Sequence, residues 1–350
     1  MTSTRIGVLV PCRNEAAVIE RKLENLAGVE WPTASGPHRI VIVDDGSTDE
    51  TAALARAACT QLFGGDVRAD VIANAQRPGK PGAIAQALEE LAGEVDLLCL
   101  SDCDVVFDPA ALRLVAEAFE RDAELAMATG EQCFVASLAD DGTCCNDEGA
   151  ALEDVGGSYD RWTAFVRRFE SRRGMLFSVH GQLLAWRAEL DLCPTPGIAA
   201  DDLDLMLQAR SSAGGRGRIA QVRGATFFEV RAPSGPEREG QALRRARAYV
   251  QFLGHPRVGE LTASGGALRR LQGAFYRWVP VTAPQVAFVS VPLSAFAGVW
   301  FGGLVGLGAV AAFCFTPLVW RTFALMRVIA EATRRQARGD LGDRWETARN

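Results

Sequence analysis

The sequence predicts an α/β fold: a mostly parallel, doubly wound sheet with helices on both faces, followed by C-terminal transmembrane helices. Three observations predict it. Short β-branched runs alternate with helical patterns through the first 130 positions, as parallel βαβ units require. Two of those runs end in acidic clusters, the place where open α/β sheets bind ligands. From Trp278 to Trp320, 43 consecutive residues contain no Asp, Glu, Lys or Arg, against the ~20 apolar residues of one membrane span.

Ile6-Gly-Val-Leu-Val10 reads as the first buried strand, and Glu15–Leu26 as the helix after it. Ile40–Val43 is the second strand, ended by Asp44-Asp45-Gly46, with Ser47 and Thr48 placed to cap a helix that begins near Asp49. Val67–Ala73 and Leu97–Leu100 are the third and fourth strands, with a helical pattern over Ile84–Leu91 between them. Pro109 opens a helix whose Leu112, Val115, Ala116 and Phe119 share one face. After Gly130 the periodicity fades, and 139–158 is polar, Gly-rich and read as a loop. A helix over Tyr159–Arg173, a strand at Leu183–Trp186 and a helix over Asp202–Ala209 complete the globular part. The Arg-rich segments Leu243–Leu253 and Ala267–Val279 follow.

Composition narrows the function. With 350 residues, 48% hydrophobic and 23% charged, the chain holds about two domains and is neither disordered nor collagen-like. Its net charge is −6, and residues after Trp320 hold seven Arg against four acids, so residues 1–277 carry −9. Such an acidic body lacks the basic footprint of sequence-independent nucleic-acid binding, and no nucleic-acid partner is expected. The nine cysteines show no paired zinc-ligand spacing; Cys12, Cys99 and Cys193 read as small buried hydrophobes in a reduced, cytosolic body. One early Arg and a five-residue apolar run are too short for a signal peptide.

Four charged clusters are candidates for chemistry. Asp44-Asp45-Gly46-Ser47-Thr48-Asp49 ends a strand, where carboxylates accept hydrogen bonds from a base or sugar edge; ordinary turn and cap chemistry uses the same residues. Asp102-Cys103-Asp104 places two carboxylates at i, i+2, able to hold a hard divalent cation. Asp201-Asp202-Leu203-Asp204-Leu205 begins a helix, where acids also complement the dipole. Arg244-Arg245-Ala246-Arg247 suits a phosphate contact, a solvated helix face or a membrane surface.

The order Pro11-Cys-Arg-Asn-Glu15, Asp44-Asp45-Gly46-Ser47-Thr48-Asp49, Gly79-Lys80, Asp102-Cys103-Asp104 and Asp201-Asp202 resembles the family 2 glycosyltransferases over about residues 5–255. Pro81-Gly82-Ala83-Ile84 departs from the family's usual Ala-x-Ala-Leu-Asn after Gly-Lys, while Gly181–Arg187 resembles the acceptor-region strand ending in an aromatic-Arg pair. The resemblance implies the Rossmann-like GT-A fold, a nucleotide-sugar donor (a UDP-sugar first), inversion at the anomeric carbon, and Mg²⁺ or Mn²⁺. By it, Pro11, Arg13, Glu15, Asp44, Asp45, Lys80 and Asp102 belong to the donor-nucleotide site. Asp102 and Asp104 hold metal and diphosphate, and Asp202 is the general base. Asp201, where the family has Glu, joins Arg244 and Arg247 beside acceptor or diphosphate. His180 is a rival base, but its apolar strand favours a structural role.

The implied organisation is a glycosyltransferase domain over 1–235, Arg-rich interfacial helices over 236–277, a transmembrane hairpin over 278–332 and a cytoplasmic tail over 333–350. The hairpin is favoured because Arg269, Arg270 and Arg277 precede the apolar stretch while Arg321, Arg327, Arg334 and Arg335 follow it, keeping both basic flanks inside. The expected setting is the cytoplasmic face of the inner (plasma) membrane, with a lipid or lipid-linked acceptor. A processive polysaccharide synthase is the alternative, but Gln241-Ala-Leu-Arg-Arg-Ala-Arg lacks the Trp of that subgroup's Gln-x-x-Arg-Trp. A nucleotidyltransferase would open with a Gly-rich phosphate loop, which Pro11-Cys-Arg-Asn-Glu15 is not. A catalytically dead scaffold would lack some of these acids.

Overall fold

The computed structural model describes residues 4–74, 77–196, 198–212, 217–232, 235–263 and 266–278, with scattered positions from 293 to 338. They fall into two units, Met1–Pro233 with Asp343–Asn350, and Ser234–Gly342.

In the first unit, β1 (Ile6–Cys12), α1 (Ile19–Gly28), β2 (His38–Asp44), α2 (Thr51–Leu62), β3 (Val67–Ala73), α3 (Lys80–Glu90) and β4 (Leu97–Leu100) make the regular half. β5 (Val105–Phe107), α4 (Ala111–Arg121), β6 (Leu125–Val135), α5 (Ser158–Ser171), β7 (Leu184–Arg187), α6 (Asp201–Ser212) and β8 (Arg218–Val230) complete it. One eight-stranded sheet runs β3-β2-β1-β4-β7-β6-β8-β5. β3, β2, β1 and β4 are mutually parallel, whereas β7 is antiparallel to both β4 and β6, and β5 to β8. Helices on both faces bury β1 and β4 along their whole length, which is why they read as unbroken apolar runs.

β6 and β8 are parallel to each other and share the direction of β1–β4, so the sheet is mostly parallel as expected, with β5 and β7 as its antiparallel members; β5, β6 and β8 lie where no strand was expected. Gly130 shows why the pattern fades. A Cβ there would stand 2.6 Å from the Ala225 carbonyl, so glycine permits the close approach of β6 to β8 while interrupting the hydrophobic alternation. The pairing shifts register beside it, between Thr129 and Glu131. In β8 the turn-like Gly224, at φ +81°, hides the strand in the same way.

β5 is a short edge strand completed by side chains of α1. The Asn25 amide donates to the Phe107 carbonyl (2.9 Å) and the Gly142 carbonyl (3.1 Å), and its oxygen accepts the Phe107 N–H (2.8 Å). Lys22, fully buried, donates to the Val105 carbonyl at 3.1 Å and lies 3.9 Å above the Phe107 ring; burial pushes its pKa down to about 8. Arg187 of β7 donates to the carbonyls of Phe119 and Asp122 at the C-terminus of α4 and of Leu125 at the start of β6. The aromatic-Arg pair is therefore structural, with Trp186 fully buried beside it.

The second unit contains α7 (Pro236–Leu253), α8 (Pro256–Ala263) and helical residues 267–278; Tyr249 donates to the Tyr276 carbonyl at 2.7 Å. Among the described residues no helix is long and apolar enough to cross a membrane, and the expected transmembrane helices over 278–332 lie almost wholly outside those residues.

Replacing Asn25 by Ala leaves the Phe107 N–H buried without its partner. Asn25→Ala should cost about 1–3 kcal/mol, read as a lower urea midpoint at constant slope; an unchanged midpoint would show that β5 does not depend on it.

Candidate active site

Parallel strands bring their C-terminal ends to one edge, and each end carries polar residues: Arg13 after β1, Asp44 and Asp45 at β2, Asn74 after β3, Asp102 and Asp104 after β4. Register aligns them, Cys12 facing Asp44 and Asp44 facing Ala73.

The first two loops are stitched together. Asn14 adopts φ 54°, a left-handed conformation that Asn tolerates better than most residues. Its N–H donates to Ser47 Oγ (2.9 Å) and its Oδ1 accepts the Thr48 N–H (2.8 Å). The Glu15 N–H donates to Thr51 Oγ1 (2.8 Å) and that of Ala16 to Asp49 Oδ2 (3.2 Å). Ser47 and Thr48, expected as helix caps, thus hold the β1 loop, and Asp49 Oδ1 accepts the Thr51 N–H at the start of α2. Pro11 is buried at the end of β1, whereas Arg13 and Glu15 remain half-buried.

Asp45 is buried and its carboxylate is fully engaged. Oδ1 accepts from Asn74 (2.6 Å), both oxygens accept from the Gly79 N–H (3.0 and 2.9 Å), and Arg13 Nη1 lies 3.6 Å away. Asp44 Oδ1 accepts the Ser47 N–H at 3.2 Å. Asp45 thus fixes the loops around it, and Asp44 holds the turn after β2. Asn74 was missed in the sequence; its signal was an Asn directly after a strand whose neighbours end in Asp. Gly82 accounts for the unusual residues after Lys80, because a Cβ there would fall 1.8 Å from the Arg77 carbonyl oxygen.

Lys80, at the first position of α3, joins two distant segments. Its Nζ is 2.7 Å from Asp102 Oδ1 and 3.6 Å from Asp201 Oδ2, with its side chain 23% exposed. Burial pulls its pKa down, but the charges of Asp102 and Asp201 override this and raise it. Asp201, expected beside acceptor or diphosphate, is buried behind Lys80, and burial raises its pKa against the pull of the ammonium. Asp202 is half-buried, its Oδ1 accepts the Leu203 N–H (2.8 Å), and it is pushed up to about 6, by burial first and then by Asp201. A Cβ on Gly181 would lie 3.5 Å from the Asp202 Cβ and 3.9 Å from Lys80 Nζ, so Gly181 borders this cluster. Asp204 turns inward to the Thr195 N–H and Gln208. The His180 ring packs edge-on to Phe227, a structural position. Arg244, exposed, and Arg247, half-buried, lie on α7 of the second unit.

Three carboxylates against one ammonium leave an uncompensated negative charge, to which Asp104 adds. Among the described residues no three His, Cys, Asp or Glu side chains converge as a ready metal cage. Two carboxylates at i, i+2 nevertheless fit a hard cation such as Mg²⁺, which binds through one or two carboxylates and completes its shell with phosphates and water. Asp102 and Asp104 would hold it.

Comparison with known proteins gives the site a context. Residues 7–141 match the family described as Glycosyl transferase family 2. The succinoglycan biosynthesis protein ExoA of Rhizobium meliloti (strain 1021) is 34% identical over 125 residues, 35% of this chain and 36% of that protein. The beta-monoglucosyldiacylglycerol synthase of Nostoc sp. (strain PCC 7120 / SAG 25.82 / UTEX 2576) is 31% identical over 118 residues, 33% of this chain and 24% of that protein. The matches thus span about a third or less of these relatives' length. The mannosyltransferase PcManGT from Pyrobaculum calidifontis, solved with GDP-Man and Mn²⁺, superposes with a TM-score of 0.67 at 20% identity, over 96% of this chain and 88% of that one. That likeness fixes the architecture as a mixed α/β fold of GT-A type.

Lys80 holds Asp202 down, so Lys80→Met should move the Asp202 titration further above 6; carboxyl NMR of Asp-labelled protein measures it, and an unmoved or lowered titration contradicts the arrangement. The folded value lies above the ordinary 3.8, so the folded chain binds this proton more tightly than the unfolded one. Stability from this group is therefore full below about 4 and lost as pH rises through about 6. Asp202→Asn should abolish that share of the loss.

Proposed function

We propose that this chain, whose residues 7–141 carry a family 2 glycosyl transferase domain, transfers a sugar with inversion from a nucleotide-sugar, first a UDP-sugar, to a lipid or lipid-linked acceptor at the cytoplasmic face of a membrane. The carboxylates of β4 and α6 gathered about Lys80 are the observation that carries this reading. Inverting transfer is one in-line displacement, needing a stabilised leaving group on one side of the anomeric carbon and one base on the other. Asp202, with its pKa near 6, is charged at neutral pH yet still basic enough to take the proton of an acceptor hydroxyl. Pro11 at the end of β1, with Arg13 and Glu15 on the loop held by Ser47, Thr48 and Thr51, forms the nucleotide end of this reading. Lys80 lies against Asp102, where an arriving diphosphate competes for the ammonium. A divalent cation, when bound, neutralises charge on the departing diphosphate.

The relatives support the coarser parts. PcManGT is described with GDP-Man and Mn²⁺, which supports a nucleotide-sugar and a divalent cation here. The Nostoc enzyme's name, a diacylglycerol glycoside synthase, supports a lipid acceptor. The apolar stretch Trp278–Trp320 supports a membrane hairpin, with Arg244 and Arg247 at its anionic cytoplasmic face. ExoA acts in succinoglycan biosynthesis, which favours polysaccharide assembly as the second reading; product length separates the two, one added sugar against a ladder.

A screen of nucleotide-sugars against the purified protein in detergent, reading released nucleoside diphosphate, tests the activity. With the active donor, Asp202→Asn should lower kcat by roughly 10²–10⁴-fold at unchanged donor affinity, and kcat/KM of the wild type should rise with pH through about 6. Asp104→Ala should lose transfer while staying folded. Full activity in that variant, or in excess chelator, would remove the metal from the account.

A further inference from the structure

We propose that α5 is a second membrane contact, an interfacial helix that lays its aromatic face on an anionic lipid surface. Tyr159, Trp162, Phe165 and Phe169 are 72%, 62%, 56% and 49% exposed, an unusual density of bare aromatics on one fourteen-residue helix. At 100° per residue they occupy an arc of about 120°, the width of an amphipathic stripe. The opposite side is fixed to the sheet, where Ser171 Oγ donates to the Gln221 carbonyl of β8; at the helix's C-terminal end buried Glu170 accepts the Phe177 N–H.

Charge identifies the occupant. Residues 158–173 contain Arg161, Arg167, Arg168, Arg172 and Arg173 against only Asp160 and Glu170. Both acids are turned inward, Asp160 to Arg231 at 2.7 Å and to the Gly157 N–H, and Glu170 into the core. In a protein of net charge −6, this helix therefore shows solvent a positive face. Arg161, Arg168 and Arg172 line one border of the aromatic arc, and the Arg173 guanidinium lies 3.8 Å over the Phe169 ring at its C-terminal end. Aromatic rings bordered by arginines suit a bilayer interface, where rings enter the headgroup layer and arginines meet lipid phosphates. The helix leads through residues 172–180 to Gly181, beside Lys80 and Asp202, so seating it would bring the carboxylate cluster close to lipid headgroups.

The inference rests on the membrane side of the proposed function, and its test uses neither donor nor acceptor, so failure of the transferase reading leaves it standing. Fluorescence of the full chain is compared with that of Trp162→Phe, the difference being the Trp162 signal. With vesicles of brominated phosphatidylcholine and phosphatidylglycerol, that signal should be quenched by bromine and shielded from aqueous acrylamide. Arg168→Glu with Arg172→Glu should reduce the bromine quenching roughly tenfold or more, two reversed charges at an anionic surface. A Trp162 signal open to acrylamide and untouched by bromine would overturn the proposal. So would one shielded from acrylamide without bromine quenching, because protein then covers the face. Quenching that survives the charge reversals undiminished would overturn it as well.

Discussion

The contact between Lys80 Nζ and Asp102 Oδ1, at 2.7 Å, ties together segments that local structure alone would leave apart. Lys80 sits where α3 begins, Asp102 where β4 ends, and Asp201, also facing the ammonium, where α6 begins. Like charges this close would repel without a cation among them. The fold supplies a fixed ammonium, leaving half-buried Asp202 beside buried Asp201 with its pKa pushed up to about 6. The end of β2 depends on the same helix start, because the N–H of Gly79, directly before Lys80, is held by Asp45.

Only two lysines occur among 37 basic residues, and both occupy confined positions. Lys22 fits its compact ammonium between Phe107 and the Val105 carbonyl; Lys80 reaches two carboxylates from a helix terminus. A planar, forked guanidinium suits neither place as well. The remaining positive charge is Arg, and on α5 it borders exposed aromatics.

The regular half of the fold was legible because its strands are buried on both faces and announce themselves as apolar runs: Val67–Ala73 and Leu97–Leu100 match the strands residue for residue. The second half was obscured by backbone demands. Gly130 and Gly224 serve close packing and a turn, and both break the alternation that marks a strand. The acids were legible by position, but their tasks were not. Asp45, Asp102, Asp201 and Asp202 look equivalent in sequence, and only the three-dimensional contacts show Asn74 and Gly79 on Asp45 and Lys80 on both Asp102 and Asp201. The aromatics of α5 look like core residues until the helix is seen with that face bare.

A double-mutant cycle on Lys80 and Asp102 tests the central claim most directly, with unfolding free energies measured for Lys80→Met, Asp102→Asn and the pair. If Lys80 is the counter-charge that lets these carboxylates coexist, Lys80→Met alone leaves Asp102 and Asp201 uncompensated and destabilises more than the double variant. The coupling should then be about 1–3 kcal/mol. Strictly additive effects would contradict the account, showing that the carboxylates share the site without needing the ammonium between them.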